Sequence, residues 1–227
     1  MPDTTFQVSK NKAPRLFLKK YGLPLAVGVL VIFHAVGFWG LGLSGRPEYF
    51  QSLTPLNLLL TNVLLFSFHK GYTSRFLVFA FLVFAAGFLA EVLGVHTGFI
   101  FGNYSYGSTL GTKLWEVPLL IGVNWLMLVY ATGTMVHKLP LHWFLKAITG
   151  AMLLVLLDYF LEPVAITYDF WSWHEQVIPL SNFRDWFGLS LLLQVLFQKF
   201  NFYKKNPVAP YVYLVQLLFF IALYIIL

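Results

Sequence analysis

Residues 142–162 read HWFLKAITGAMLLVLLDYFLE. Lys146, near its start, is the single charge before Asp158. A helix needs about 20 mostly apolar residues to cross the hydrocarbon of a bilayer, and this run has that length. Asp158 and Glu162, at its far end, are four residues apart, so on a helix they project from one face. The stretch therefore predicts a membrane span and raises the question of why that span ends in two carboxyl groups.

Comparable runs lie at 23–43, 53–69, 75–94, 117–136, 183–200 and 209–227, which makes seven candidate spans. The run at 53–69 is short and carries Thr54, Asn57, Thr61 and Asn62. All the runs are continuous rather than alternating, which excludes a strand barrel. Composition agrees with this reading. Charged residues are 11% and hydrophobic residues 59% of 227, with a mean hydropathy of +0.74. A typical soluble domain is about a quarter charged, and a soluble fold of this size could not hide so much apolar surface. Disorder is excluded on the same grounds. The absence of Cys excludes a disulfide framework, thiolate metal ligation and a thiol nucleophile. No internal repeat or low-complexity tract is present. The expected fold is an all-α polytopic membrane bundle of about seven transmembrane helices, forming one domain over 1–227.

The basic residues test that topology. With the N-terminus inside, the inner segments hold Lys10, Lys12, Arg15, Lys19, Lys20, Lys70, Arg75, Lys138, Lys146, Lys199, Lys204 and Lys205. The outer segments hold only Arg46, Lys113 and Arg184. Such an asymmetry marks the cytoplasmic side. It predicts an odd number of spans, a cytoplasmic N-terminus, an outer C-terminus and residence in a bacterial inner (plasma) membrane. No small-residue cleavage pattern follows the first apolar run, so residues 1–20 are expected to stay as a basic cytoplasmic tail. The net charge of +6 is then topological, with anionic lipid as its natural partner, and no nucleic-acid footprint is read from it.

Two connections, 95–116 and 163–182, are long for a compact bundle, and such loops are usually functional or disordered. One carries His96, Phe99, Phe101, Tyr104, Tyr106 and Trp115; the other carries Tyr168, Phe170, Trp171, Trp173 and His174. An interfacial aromatic belt accounts for single rings. It does not account for two outer loops that combine rings with acids, so both are expected to fold back over the bundle. Four acids, Asp3, Glu48, Asp169 and Glu175, lie in the tail or loops. The other five fall at the outer ends of four consecutive spans: Glu91, Glu116 (opening the fourth), Asp158, Glu162 and Asp185. An unpaired carboxylate at membrane depth costs at least about 2.5–3.5 kcal/mol and normally faces a polar interior. The pattern predicts an outer pocket under aromatic loops. Asp158 and Glu162 cannot both ionise cheaply when brought close, so one is expected to stay protonated, as general acid chemistry requires. Asn124 is read as lying two turns below Glu116 on one face, Pro118 as a helix start and Pro163 as a helix stop. His34 reads as a buried, hydrogen-bonded histidine, and His69, His137 and His142 as inner-face residues without a required function. No metal-ligand spacing, dinucleotide fingerprint or phosphate loop is found, so neither a metal nor a cofactor is expected. A channel or transporter would call for a charged pore ring or paired broken helices, which are also missing.

Six segments in order carry a resemblance. They are Glu91-Val-Leu-Gly-Val-His-Thr-Gly98, Phe101-Gly-Asn-Tyr-Ser-Tyr-Gly107, Val117-Pro-Leu-Leu-Ile-Gly-Val-Asn-Trp125, Asp158-Tyr-Phe-Leu-Glu-Pro-Val-Ala165, Trp171-Ser-Trp173 and Asn182-Phe-Arg-Asp-Trp186. Together, over about 85–190, the chain resembles the CruF-type carotenoid hydratases, also called the bisanhydrobacterioruberin hydratase family or simply carotenoid biosynthesis proteins. The resemblance implies a hydro-lyase that adds water across the terminal double bond of an acyclic carotenoid end group. The substrate would be an acyclic carotenoid such as lycopene, a monocyclic carotene with one open end, or a fifty-carbon precursor. Membrane lipid and water would be its surroundings, and other enzymes of the pathway its candidate partners. Such a reaction needs no redox cofactor.

The chemistry of the residues suggests roles. A protonated carboxyl protonates the alkene, aromatic faces stabilise the tertiary cation by about 0.5–2 kcal/mol each, and a neighbouring carboxylate deprotonates water. Asp158 and Glu162 are the expected acid/base pair, with Glu91 or Glu116 as second candidate. Tyr104, Tyr106, Trp115, Trp125, Trp171, Trp173 and Trp186 are candidates for the wall around the substrate. Asn124, Asn182 and His96 are candidates for positioning water or carboxyls. An acid-initiated lycopene-type cyclase, and a non-catalytic carotenoid- or lipid-binding membrane protein, are the alternatives.

Overall fold

Apolar runs fold as helices in a bilayer because lipid offers no partner to a free backbone N–H or C=O. The computed structural model describes residues 12–174 and 176–227, and for 12–19 the backbone alone. Asp3, Lys10 and Glu175, with the side chains of Lys12, Arg15 and Lys19, lie outside the described residues. Within the described residues the chain forms α1 (Lys12–Gly42), α2 (Pro47–Ser52), α3 (Thr54–Ser67), α4 (Ser74–Thr97), β1 (Tyr104–Tyr106), β2 (Lys113–Leu114), β3 (Val117–Pro118), α5 (Leu119–His137), α6 (Trp143–Thr167), β4 (Trp171–Trp173), α7 (Leu180–Lys199) and α8 (Ala209–Ile226). It is an all-α membrane helical bundle with two small β ribbons at one end.

Every expected span is a helix, but five are long and apolar enough to cross a bilayer: Lys20–Gly42 of α1, then α4, α5, α6 and α8. α3 has 14 residues, about 21 Å at 1.5 Å per residue, short of a hydrocarbon core of about 30 Å. α7 has 20 residues but holds Asn182, Arg184, Asp185, Gln194 and Gln198. α1 begins at Lys12, so the second half of the expected tail is helical.

α5 is the axis of the bundle: 72% of its apolar window is buried, against 28–33% in the other four spans. Small residues let neighbours close on it. A Cβ on Gly87 of α4 would lie 2.4 Å from the Trp125 ring of α5, so only glycine admits the indole there. One turn further along α4 is Glu91, which the same approach brings beside Trp125.

Two expectations about helix ends change. Pro163 does not stop α6, which runs on to Thr167. A proline removes one helical hydrogen bond, a loss tolerated inside a membrane bundle. Glu116 does not open the fourth span. Trp115 and Glu116 form the two-residue turn of the β2–β3 hairpin, with φ of 50° and 65°, the positive values a tight hairpin of this hand requires. α5 starts three residues later, behind the extended Pro118, so Glu116 and Asn124 do not share a helix face.

The two long loops meet as expected, now with a register. β1 pairs antiparallel with β4: Tyr104 opposite Trp173, Ser105 opposite Ser172 and Tyr106 opposite Trp171. Strand alternation points both serines outward and all four rings into the bundle. At the far end of the bundle the lysines gather. Lys146 donates to the His137 carbonyl at 2.8 Å, Lys204 to that of Gln198 at 2.9 Å, and Lys199 sits 3.4 Å above the Trp143 ring.

Candidate active site beneath the aromatic ribbon

Under the β1–β4 ribbon lies a cavity of about 420 Å³. Its polar end is made by Glu91 of α4 and Glu162 of α6, 4% and 1% exposed. Tyr104 and Tyr106 of β1 donate their phenol O–H to Glu91 Oε2 at 2.6 and 2.8 Å, and Trp125 Nε1–H donates to Oε1 at 3.0 Å. Trp171 and Trp173 of β4 donate their indole N–H to Glu162 Oε2 at 3.0 and 2.8 Å. Each strand of the ribbon thus grips one glutamate through the rings it points inward. Burial and the neighbouring Glu91 push both phenols well above the ordinary tyrosine range, so they remain donors at neutral pH.

Asp158 is fully buried one turn before Glu162 and is not among the side chains lining the cavity. Asn182 of α7 bridges the pair, its Nδ2 2.9 Å from Asp158 Oδ2 and 3.0 Å from Glu162 Oε1. Asp158 Oδ1 has no partner. Among the described residues the two ion pairs are Arg184–Asp185 and His96–Glu116. None of the three buried acids therefore faces a cation; every donor they meet is neutral. Three carboxyl groups held this way are costly as three anions, and the arrangement is suited to keeping and moving a proton.

Of the four acids singled out as catalytic, Glu91, Asp158 and Glu162 come together and Glu116 does not. Glu116 is exposed in its hairpin turn, 3.9 Å from His96, which is less exposed than it. Asp185 also lies outside the cavity lining: it accepts from the Phe101 N–H at 2.9 Å and pairs with Arg184 at 2.7 Å, fixing the loop before β1. Tyr104, Tyr106, Asn124, Trp125, Trp171, Trp173, Asn182 and Trp186 line the cavity, with Trp186 stacked on Trp125 at 4.4 Å. Trp115 does not: it is 58% exposed. Asn124 Oδ1 is buried with no partner.

Residues that the sequence pattern does not single out also line the cavity. Asn57 of α3 has a buried, unpartnered Oδ1. Gln216 is a lone amide in the very apolar α8, and that isolation is the one signal the sequence offers for it. His34 bonds the Leu30 carbonyl at 2.8 Å, as expected of a buried histidine, and it too reaches the cavity. His69 bonds Tyr130 at 2.7 Å, at the lysine-rich end.

Fold and site together define a membrane-embedded helical bundle with an apolar cavity whose closed end is furnished with carboxyl groups. Comparison with known families adds the class of pathway. The chain belongs to the carotenoid biosynthesis protein family, whose model matches residues 54–227, from the first turn of α3 to the last residue. No curated protein and no solved structure matches it.

Proposed function

We propose that the protein is a carotenoid hydratase that adds water across the terminal double bond of an acyclic end group, giving a tertiary alcohol at the 1 or 1′ carbon. The observation that carries this reading is the set of three buried, cation-free carboxyls at the end of an aromatic-lined cavity. Simple storage of an apolar pigment would not need them. The basic end of the bundle is the cytoplasmic one in this reading, and the ribbon faces the opposite side of the membrane.

The geometry favours Glu162 and Glu91 as the carboxyls that meet substrate, with Asp158 behind Glu162, sharing the Asn182 amide with it and making a second negative charge there costly. Glu162 delivers a proton to the less substituted alkene carbon. The π electrons form the new C–H bond and leave a tertiary carbocation, faced by the rings of Trp125, Trp186, Trp171, Trp173, Tyr104 and Tyr106. Water forms the C–O bond with that carbon and gives its surplus proton to Glu91. One proton enters and one leaves, so the reaction is redox-neutral and calls for no electron carrier. Return of the proton from Glu91 to Glu162 completes the cycle. The free Oδ1 atoms of Asn124 and Asn57 offer acceptors to a water in an otherwise apolar cavity.

A lycopene-type cyclase would make the same cation and let an internal alkene capture it. Product mass separates the two, since hydration adds one water and cyclisation adds none. Expression in a lycopene-producing bacterium should yield pigments heavier by one or two waters. Pigments of changed retention but unchanged mass would establish the cyclase instead. Unchanged pigment bound to the purified protein would reduce the role to carotenoid binding.

A further inference from the structure

The wall of the cavity is uneven in a way the chemistry alone does not require. Almost every lining side chain is buried or half-buried. Four are exposed: Phe33 and Val36 on α1, at 49% and 51%, and Leu53 and Leu56 at the start of α3, at 37% and 64%. They frame a gap between α1 and α3. The outward surfaces beside it are apolar as well, with Ile32 on α1 and Leu59 and Val63 on α3 exposed. An apolar surface of that kind on a membrane-embedded helix faces lipid.

The roof, by contrast, is tied shut. Beyond the ribbon, the Tyr168 hydroxyl donates to the Leu41 carbonyl of α1 at 3.1 Å, and Gln51 of α2 donates to the Tyr168 carbonyl at 2.5 Å. Phe50 of α2 is wedged against α1 at Gly40, where even a methyl group would collide with its ring. Depth fits a sideways route. Val36 and Phe33 are six and nine residues before the end of α1, about 9–14 Å below it at 1.5 Å per residue. Glu91 and Glu162 are six and five residues before the ends of their helices, about 8–9 Å below them. The gap and the carboxyls thus lie at a similar level. A cavity of about 420 Å³ is near the small end of the roughly 300–1,000 Å³ range for drug-sized ligands, a size that suits one end of a long polyene better than its whole length.

We infer that the gap framed by Phe33, Val36, Leu53 and Leu56 is a lateral portal through which a long linear polyene enters from the hydrocarbon, end group first. The rest of its length stays outside, along the lipid-facing surface of α1 and α3. The inference rests on the carotenoid reading of the cavity but not on the outcome of the chemistry there. It makes the portal the element that selects a slender open-chain end and turns away a bulkier ring.

The native chain has no Cys, so single cysteines can be spin-labelled cleanly. Val36→Cys, and as control Leu218→Cys on the lipid-facing side of α8 (63% exposed) outside the cavity lining, would be labelled in detergent and reconstituted in lipid with and without lycopene. Lycopene should remove the greater part of the label's collisions with dissolved oxygen at position 36 and leave position 218 unchanged. Equal responses at both positions would overturn the portal. The double variant Val36→Trp/Leu56→Trp should carry about tenfold less co-purified pigment, about 1.4 kcal/mol; full pigment in a folded double variant would also overturn it. Both readouts are of binding, so a protein that binds through the portal yet makes no alcohol would defeat the hydratase reading and leave the portal standing.

Discussion

The two ends of the bundle solve the same problem with opposite charges. At one end Glu91, Asp158 and Glu162 are buried without a cation and are held by phenol, indole and amide donors. At the other, Lys146 and Lys204 turn to backbone carbonyls and Lys199 to the face of Trp143. The protein has 15 basic residues against 9 acidic ones, enough to pair every carboxyl, yet no described one pairs with Glu91, Asp158 or Glu162. The lysine end opens on no lining residue of the cavity, whereas two of the three acids look straight into it. Buried charge near a membrane surface can be mere topology. Buried carboxyls furnished with neutral donors and a cavity are what the proposed proton chemistry calls for.

The strongest way to break that contrast is to remove the charge at each end. Glu162→Gln and Glu91→Gln keep shape but cannot exchange a proton, and each turns one acceptor oxygen into an N–H donor among donors. Each should lower pigment hydration by about 10²–10⁴-fold, the usual range for a general acid or base, while the protein stays folded. Lys146→Met and Lys204→Met should leave hydration near the native rate. Chromatography and mass spectrometry of pigments from matched cultures would decide it. Full activity in both glutamine variants removes these carboxyls from the mechanism.

A smaller effect sharpens the comparison, because each end also has an asparagine linking chain segments. Asn182 donates to two carboxyls; Asn206 donates to the carbonyl of Leu65 at 2.7 Å. Asn182→Leu strands two buried acceptors at about 1–3 kcal/mol each and should lower both melting temperature and hydration. Asn206→Leu takes a donor from the Leu65 carbonyl and the acceptor from the buried Val208 N–H, should cost about 1–3 kcal/mol, and should leave the specific activity of the folded fraction intact. Thermal melts beside activity per folded protein separate the two. Equal losses of specific activity would mean that Asn182 does nothing special for the acids.

Much of this contrast is legible in the order of the amino acids. The apolar runs locate the helices because a spanning helix has to be apolar throughout, and the segregation of lysines from acids follows from counting them along those runs. Glu162 and Asp158 are legible as a pair because four residues is one helical turn. What spacing cannot show is how a carboxyl is satisfied by residues far away in the chain. Glu116 and Asp185 look equivalent to Glu91 in the sequence, yet one sits in a hairpin turn with positive φ and the other is satisfied by its neighbour Arg184 and the Phe101 amide. The ribbon is three residues per strand, too short for a periodic signal, and its pairing joins residues almost seventy positions apart. Pro163 misleads because a proline rule drawn from soluble helices is relaxed where neighbouring helices and side chains re-satisfy the freed backbone groups.

The smallest predicted effect lies at the lysine end and depends on pH. Burial, together with the charge of nearby Lys146, brings Lys204 down to about 8 from an ordinary 10.5. In the unfolded chain the amine holds its proton up to the ordinary value, so between about pH 8 and 10.5 the unfolded state binds more protons than the folded one. Stability contributed by this group therefore rises with pH across that window. Below pH 8 both states are protonated, and the cost of the buried charge is present in full. Lys204→Met should flatten the rise, and the amine's half-exposed position keeps the change small. Melting temperatures of native and variant protein at pH 7 and pH 10 would measure it. A native protein whose melting point moves no differently from the variant's would show that Lys204 is solvated like any surface lysine, and that the lysine end tolerates its charges by hydration and not by the carbonyls that surround them.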